Sequence, residues 1–180
     1  MIKSMVWVFC VIGMIPSQAQ IYMTTTGKVQ FFSETPLENI SAVNSAVSSL
    51  INAKTDSVFV RMKNTGFAFK NALMENHFNE NYMESTKYPV DSFRGKISET
   101  IDYTKEGTYL VTASGVLFIH GVEKVENIKG TLTIRGGSIR LHSEFFVHTA
   151  DFNIEVPKLV FEKIAKDITV TLSAEYRAKK

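Results

Sequence analysis

The chain has 180 residues, of which 20 are Lys or Arg and 18 are Asp or Glu, so its formal net charge is +2. This length fits one domain that buries a sizeable core without help from metals or disulfides. Charges of both signs are interspersed rather than collected into a basic run. We therefore exclude nucleic acid as the expected partner.

The first 19 residues have the pattern of a secretory signal peptide. Lys3 precedes an apolar run from Met5 to Ile15, and the small residues Ser17 and Ala19 follow a proline. The run is shorter than the roughly 20 apolar residues that a membrane anchor needs. We expect cleavage after Ala19 and a soluble, periplasmic or secreted domain over residues 20–180. Cleavage also removes the single cysteine, Cys10, which excludes disulfides, thiol catalysis and thiolate metal sites.

Alternation of apolar and polar residues predicts β-strands over much of the chain. The clearest cases run from Ser138 to Thr149 and from Asp167 to Arg177, where every second residue is apolar with one interruption, at Ser143. Gly136-Gly137 precedes the first of them and supplies the positive φ angles of a tight hairpin after a strand that ends near Ile134. Other predicted strands are Val29 to Ser33, Ser57 to Lys63, Phe67 to Lys70, Ser92 to Tyr103 and Thr108 to Ile119.

Three segments depart from this pattern. Ala72 to Ser85 is rich in Asn, Glu and Met and predicts an irregular loop with a short helix. Leu159 to Lys166 follows Pro157, which suits the start of a helix. Ile40 to Ile51 is ambiguous, because its apolar residues repeat at helical spacing although its composition is poor for a helix.

Many short strands with little helix predict an all-β, antiparallel sandwich or barrel. A closed barrel is the favoured form, because closure removes the edge strands that an exported, disulfide-free sheet would expose to aggregation.

The stretch from Phe67 to Gly95 carries an ordered set of short motifs that resembles the YceI-like family. The motifs are Leu73-Met74, His77-Phe78-Asn79, Tyr82-Met83-Glu84, Lys87-Tyr88-Pro89 and Phe93-Arg94-Gly95. Looser matches are Phe31 with Ser33 and Pro36, a turn at Gly121, and Asp151-Phe152-Asn153-Ile154 with Pro157. The family usually has glycine where Asn153 stands, and asparagine tolerates the left-handed backbone that glycine adopts.

The resemblance covers nearly all of the mature chain and implies a lipocalin-like antiparallel barrel of about eight strands with an elongated pocket. It also implies that Ile40 to Ile51 is a strand and that the ligand is a polyisoprenoid, as in isoprenoid quinones and polyprenyl phosphates. We predict a non-enzymatic protein without a cofactor that holds such a lipid for transport, storage or sequestration. Transient contact with a membrane and a homodimer are left open. The predicted ligand-binding residues are Phe67, Phe69, Met74, Phe78, Tyr82, Met83, Phe93, Phe118, Phe145 and Phe152.

The same residues fit plainer structural roles. Every barrel needs apolar side chains inside, so the phenylalanines can be ordinary core in a filled barrel. Residues Met74 to Met83 suit the mouth of a pocket, or a loop packed across one end of the barrel. A filled-barrel structural or interaction module therefore stays an alternative.

An enzyme that acts on the lipid is the second alternative, but the sequence offers it little chemistry. The histidines at 77, 120, 142 and 148 lack companions at metal-ligand spacing, and His142 and His148 are expected to face solvent. There is no Gly-x-Ser-x-Gly motif, and Asp151 and Glu155 alternate with apolar residues in the manner of a solvated strand. We predict no catalytic and no metal-binding residue.

Overall fold

The computed structural model describes residues 21–156 and 164–179. The predicted signal peptide, Cys10 and most of the helix predicted over Leu159 to Lys166 lie outside these ranges, and residues 164–166 are not helical. No helix within the described ranges is long and apolar enough to cross a bilayer.

The described strands form one closed antiparallel sheet. Eight of them follow one another around a barrel in the order β1, β9, β8, β7, β6, β5, β3 and β2, and β2 pairs with β1 to close the circle. The short strand β4 pairs only with β2, at one end. The predicted eight-stranded antiparallel barrel is therefore confirmed. The strands are β1 Ile21–Glu34, β2 Asn39–Asn52, β3 Ser57–Lys63, β4 Phe67–Phe69, β5 Val90–Ile97, β6 Gly107–Ile119, β7 Val122–Arg135, β8 Ser138–His148 and β9 Asp167–Ala178.

Helical structure is confined to short pieces. Helix α1, Ala72–His77, continues into a π-helical turn at Phe78–Tyr82, as expected for a loop with a short helix. Single 3-10 turns lie at Asn64–Gly66 and Thr149–Phe152. The second turn ends at Asn153, whose φ of 54° is the left-handed backbone expected from the glycine of the resembling family.

Strand β2 settles the ambiguous segment as a strand, and a β-bulge explains its helical spacing. Gly27 pairs with Val47 and Val29 pairs with Asn44, so β2 carries one more residue than β1 between these pairs. Buried positions along β2 therefore change from even numbers, such as Asn44, to odd numbers, such as Val47. This change of phase resembles a helical repeat in the sequence.

Strand β5 is shorter than predicted, because the Ser92 to Tyr103 alternation includes a loop. The strand ends at Ile97. Beyond it, Asp102 accepts a hydrogen bond of 3.0 Å from the backbone N–H of Thr104, which forms a turn that competes with strand pairing. Ile101 is nevertheless buried, so its apolar side chain mimics a strand position without belonging to one.

The two ends of the barrel differ in how they are filled. We call the end that carries the loops at 53–56, 98–106 and 136–137 the lower end. Near it, four side chains have no exposed surface: Ile51, Leu132, Ile139 and Tyr176. The opposite end, which we call the upper end, carries the loops at 35–38, 64–89 and 120–121 and the segment after β8. Residues that surround unfilled interior space, such as Val58, Phe93 and Leu117, lie along the strands between the two ends.

The hydrogen-bond ladder between β7 and β8 is incomplete. Residues Gly130–Arg135 of β7 pair with residues Ser138–Ser143 of β8, whereas β6 pairs with β7 along its whole length. Above Gly130 and Ser143, the described parts of the two strands form no further pairs with each other. We call this region, residues 122–129 of β7 and 144–148 of β8, the β7–β8 split.

Candidate functional site

An apolar cavity of about 70 Å³ lies inside the barrel. Seven of the eight barrel strands contribute to its wall, because each strand directs alternate side chains inward. Ser92, Lys129 and Ser143 are the polar residues in the wall, and the Ser143 hydroxyl donates to the Lys129 carbonyl at 2.6 Å. The cavity thus offers an almost wholly apolar surface to a ligand. Its apolar wall includes Val60, Phe93, Leu117, Leu141, Phe145 and Leu172.

The cavity is small for a ligand site. Pockets for small molecules usually have volumes of about 300–1,000 Å³. A long alkyl chain would therefore have to widen the barrel. Met62 and Phe145 are half-buried parts of the wall. Methionine is flexible and polarisable, so its side chain adapts to a changed cavity at little cost.

Four phenylalanine rings close the upper end above the cavity. Phe31 lies on the inward face of β1, one inward position above the cavity residue Val29. Its ring contacts those of Phe67, Phe69 and Phe78 at centroid distances of 5.3 to 5.6 Å. Phe78 in turn contacts Phe67 and Phe69 at 5.4 and 5.1 Å. We call these four residues the aromatic cluster.

The structure separates the ten predicted ligand-binding residues into three groups. Phe93 and Phe145 line the cavity. Phe67, Phe69 and Phe78 belong to the aromatic cluster, and the segment that follows β4 contributes the buried Met83 and the half-buried Met74 and Tyr82. Phe118 and Phe152 belong to neither the cavity wall nor the aromatic cluster.

Phe118 and Phe152 lie away from both the cavity wall and the aromatic cluster. Phe118 pairs with the exposed Glu123 and alternates with the buried Leu117, so its side chain lies on the outer face of β6 rather than in a tunnel. Phe152 is buried but lies in a 3-10 turn, not on a solvated strand, and it packs beneath Lys124. An alternation of apolar and charged residues over a few positions does not distinguish a strand from such a turn.

A buried histidine joins three segments at the upper end. His120 lies in the turn between β6 and β7 and is 7 % exposed. Its Nδ1 atom is 3.0 Å from the carbonyl oxygen of Phe152, and its Nε2 atom is 3.0 Å from a carboxylate oxygen of Glu84. With Glu84 ionised, both contacts are hydrogen bonds only when both ring nitrogens carry protons. Glu84 and His120 also have positive φ angles, 41° and 50°, which only strong surrounding contacts maintain.

Below this histidine lies a buried carboxyl group. Asp91 Oδ1 accepts from Nδ2 of Asn64 at 3.2 Å and faces the backbone N–H of His120 at 3.4 Å. Burial raises the pKa of Asp91 to about 6, against the opposing effect of Asn64 and His120. Oδ1 of Asn64 is buried and has no hydrogen-bond partner among the described residues. We call Asn64, Glu84, Asp91 and His120 the His120 cluster.

The sequence did not reveal this cluster. Glu84 and His120 are 36 positions apart, and Asp91 carries no local sign that it is buried. The sequence did show a turn at Gly121, next to His120. Only the structure explains the glycine there, because an added Cβ would lie 2.4 Å from the ring of Tyr88. In the described part of the chain, no three His, Cys, Asp or Glu side chains are placed to hold a metal ion.

Comparison with known proteins supports one family. A sequence model of the YceI-like domain matches residues 16–176. A search of curated proteins gave no match.

Several solved structures share the fold. A polyisoprenoid binding domain from Saccharophagus degradans, implicated in plant cell wall breakdown, has a TM-score of 0.76 at 15% identity, with 89% of this chain and 99% of that chain covered. BcnA from Burkholderia cenocepacia has a TM-score of 0.71 at 14% identity, with coverages of 83% and 95%. A Campylobacter jejuni YCEI protein has a TM-score of 0.56 at 19% identity, with coverages of 87% and 86%. With its barrel and a family match over most of its length, this chain belongs to the YceI-like domain family.

Proposed function

We propose that the mature chain is an exported binding protein that holds a long-chain isoprenoid lipid in its barrel, for transport, storage or sequestration. The observation that carries the proposal is the apolar cavity, whose polar wall residues are few and partly satisfied by one another. The Saccharophagus domain of the same fold is described as polyisoprenoid binding, which supports this ligand class here.

The energetics of burial favour a long apolar chain. Each methylene removed from water contributes about 0.8 kcal/mol, and this gain accumulates along the tail without any polar contact. This gain is opposed by the free-energy cost of moving wall side chains, because a cavity of about 70 Å³ must widen to hold the tail. A long tail offsets that cost better than a short one, so affinity is expected to rise with the number of isoprene units.

Binding without chemical conversion is the better supported form of this function. The acidic and basic groups of the His120 cluster lie at the upper end and none of them is among the cavity-lining residues. General acid–base catalysis needs such groups within hydrogen-bond distance of the reacting atoms. A lipid inside the cavity would not meet them.

The second candidate is a filled-barrel interaction module, and the small cavity volume favours it. Native mass spectrometry and organic extraction of the exported protein distinguish the candidates. Unaltered prenyl lipid in the extract supports the binding function, and altered lipid supports an enzyme. An empty protein that takes up no prenyl lipid supports the filled barrel.

Filling the cavity should abolish binding. Ala113 lines the cavity, and Ala113→Leu places an isobutyl group in it. We expect at least tenfold weaker binding of an octaprenyl quinone, measured by titration of delipidated protein, with a stability change of about 1 kcal/mol or less because empty volume is filled. Ser114→Leu, on the exposed outer face of the same strand, is the control and should bind normally. Equal affinity of both variants would contradict the cavity as the binding site.

Export is part of the proposal and rests on residues outside the described ranges. Intact mass of the protein recovered from the periplasm or medium should correspond to a chain beginning at Gln20. Recovery with residues 1–19 retained would contradict the signal peptide.

A further inference from the structure

A ligand can reach the cavity through the upper end or through the barrel wall. The upper end is occupied by packed side chains: the aromatic cluster, in which Phe67 is buried and the other three rings are half-buried, lies above the cavity, and Met83 is buried. Contacts between aromatic rings stabilise packing beyond the effect of area burial alone. The segment that carries Phe78 is also held at Glu84 by His120. Access from above would require these contacts to break together.

The wall lacks strand pairing at the β7–β8 split. Elsewhere adjacent strands are joined by ladders, with register shifts only along β1, and separating them would leave several backbone groups without partners. Between the described residues 122–129 of β7 and 144–148 of β8 there is no ladder to break. An apolar chain could pass here without loss of strand pairing.

The cavity extends to this split. Gly130 and Ser143, the last pair of the ladder, both line the cavity, and so do Ile128 and Phe145 immediately above them. Ile128 and Phe145 are half-buried, whereas Leu132, further down β7 where the ladder is intact, has no exposed surface. The wall of the cavity therefore thins where pairing ends.

The inward face of β7 also becomes polar above Ile128. Lys124 pairs with Leu117 of β6, which points into the barrel, and Glu126 lies on the same face. Lys124 forms ion pairs with Glu126 and Asp151, and the three side chains are 37 to 41% exposed. Charged groups on an inward face remain hydrated only where the sheet is open. This polar rim would keep the polar end of a lipid outside while its tail enters.

We propose that the isoprenoid tail enters and leaves the cavity sideways, through the β7–β8 split past Ile128 and Phe145, and not through the upper end. The inference rests on the proposed lipid-binding function and specifies the route by which that site is reached.

A tether across the split tests the route. In a Cys10→Ser background, Asn127→Cys with Phe146→Cys places one thiol on the outer face of each strand within the split, and a short bis-maleimide joins them. The control pair is Thr131→Cys with His142→Cys, which are direct partners in the intact ladder. A further variant, Phe78→Ala, loosens the aromatic cluster at the upper end. Mass spectrometry confirms each cross-link, and uptake of octaprenyl quinone from phosphatidylcholine vesicles is followed over time.

We expect the tethered split to slow uptake and release at least tenfold, whereas the tethered ladder exchanges lipid at the wild-type rate. Phe78→Ala should change the rate by about twofold or less. Wild-type exchange in the tethered split would overturn the lateral route, and much faster exchange in Phe78→Ala would assign access to the upper end. If untethered wild-type protein takes up no prenyl quinone, the proposed function itself fails, and the route fails with it.

Discussion

Leu172→Asp is expected to lower the free energy of unfolding by on the order of 4 kcal/mol, because it places a carboxylate inside the barrel without a partner. Leu172 is 8% exposed and lines the cavity. Its neighbours across the sheet are Val29 on β1 and Ser143 on β8, and neither carries a charge that could compensate. A domain of this kind usually has only about 5–15 kcal/mol of net stability, so the loss should be evident in urea denaturation.

The adjacent position provides a matched control. Ser173 is exposed on the outer face of β9, where its partners are Lys28 and His142. Ser173→Asp should change stability by about 0.5 kcal/mol or less, since the new charge stays in water beside basic groups. Similar losses in the two variants would show that the inward and outward faces of β9 have been assigned wrongly.

Asp91→Asn is expected to stabilise the protein at neutral pH. Burial raises the pKa of Asp91 to about 6 from 3.8, so the folded state holds this proton more tightly than the unfolded state does. This pKa difference between the folded and unfolded states corresponds to a loss of about 3 kcal/mol in the free energy of unfolding once the pH is high enough to ionise the buried carboxyl group. Asparagine is nearly isosteric, cannot ionise, and brings N–H donors close to Asn64, whose Oδ1 has no partner among the described residues.

The sign of the pH dependence follows from the raised pKa. Below about pH 4, both states are protonated and the contribution of Asp91 to stability is fully present; it is lost as the pH rises through about 6. The gain in free energy of unfolding of Asp91→Asn over wild type should therefore be small at pH 4 and larger by about 1–3 kcal/mol at pH 7.5. Denaturation at each pH measures this gain.

An exposed carboxylate serves as the control for this effect. The hydrogen bonds from Thr104 hold the pKa of Asp102 below its usual range, so Asp102→Asn should give no stabilisation at pH 7.5. A pH-independent difference between Asp91→Asn and wild type would show that folding does not raise the pKa of Asp91, and a loss of stability at pH 7.5 would show that its ionised carboxylate is favourable.

The sequence by itself determined the fold and the direction of many side chains. Alternation is a local property of a strand with one buried face, so the inward positions of β8 and β9 could be predicted from residues such as Leu141 and Leu172. The hairpin at Gly136-Gly137, with φ angles of 57° and 73°, was equally readable, because positive φ is a local requirement. The resemblance carried by the motifs between Phe67 and Gly95 added the number of strands and the assignment of Ile40 to Ile51 as a strand.

Only the tertiary structure decided which apolar residues surround empty space. Phe93 and Phe145 line the cavity while Phe67, Phe69 and Phe78 fill the upper end, although all five are aromatic residues of the same predicted set. Whether a side chain meets a void or a neighbour depends on the strands across the barrel, which are distant in sequence. The same holds for the ladder that ends at Gly130, and for His120, whose partners come from separate loops. Pairing and burial of this kind arise from long-range packing, which local alternation does not encode.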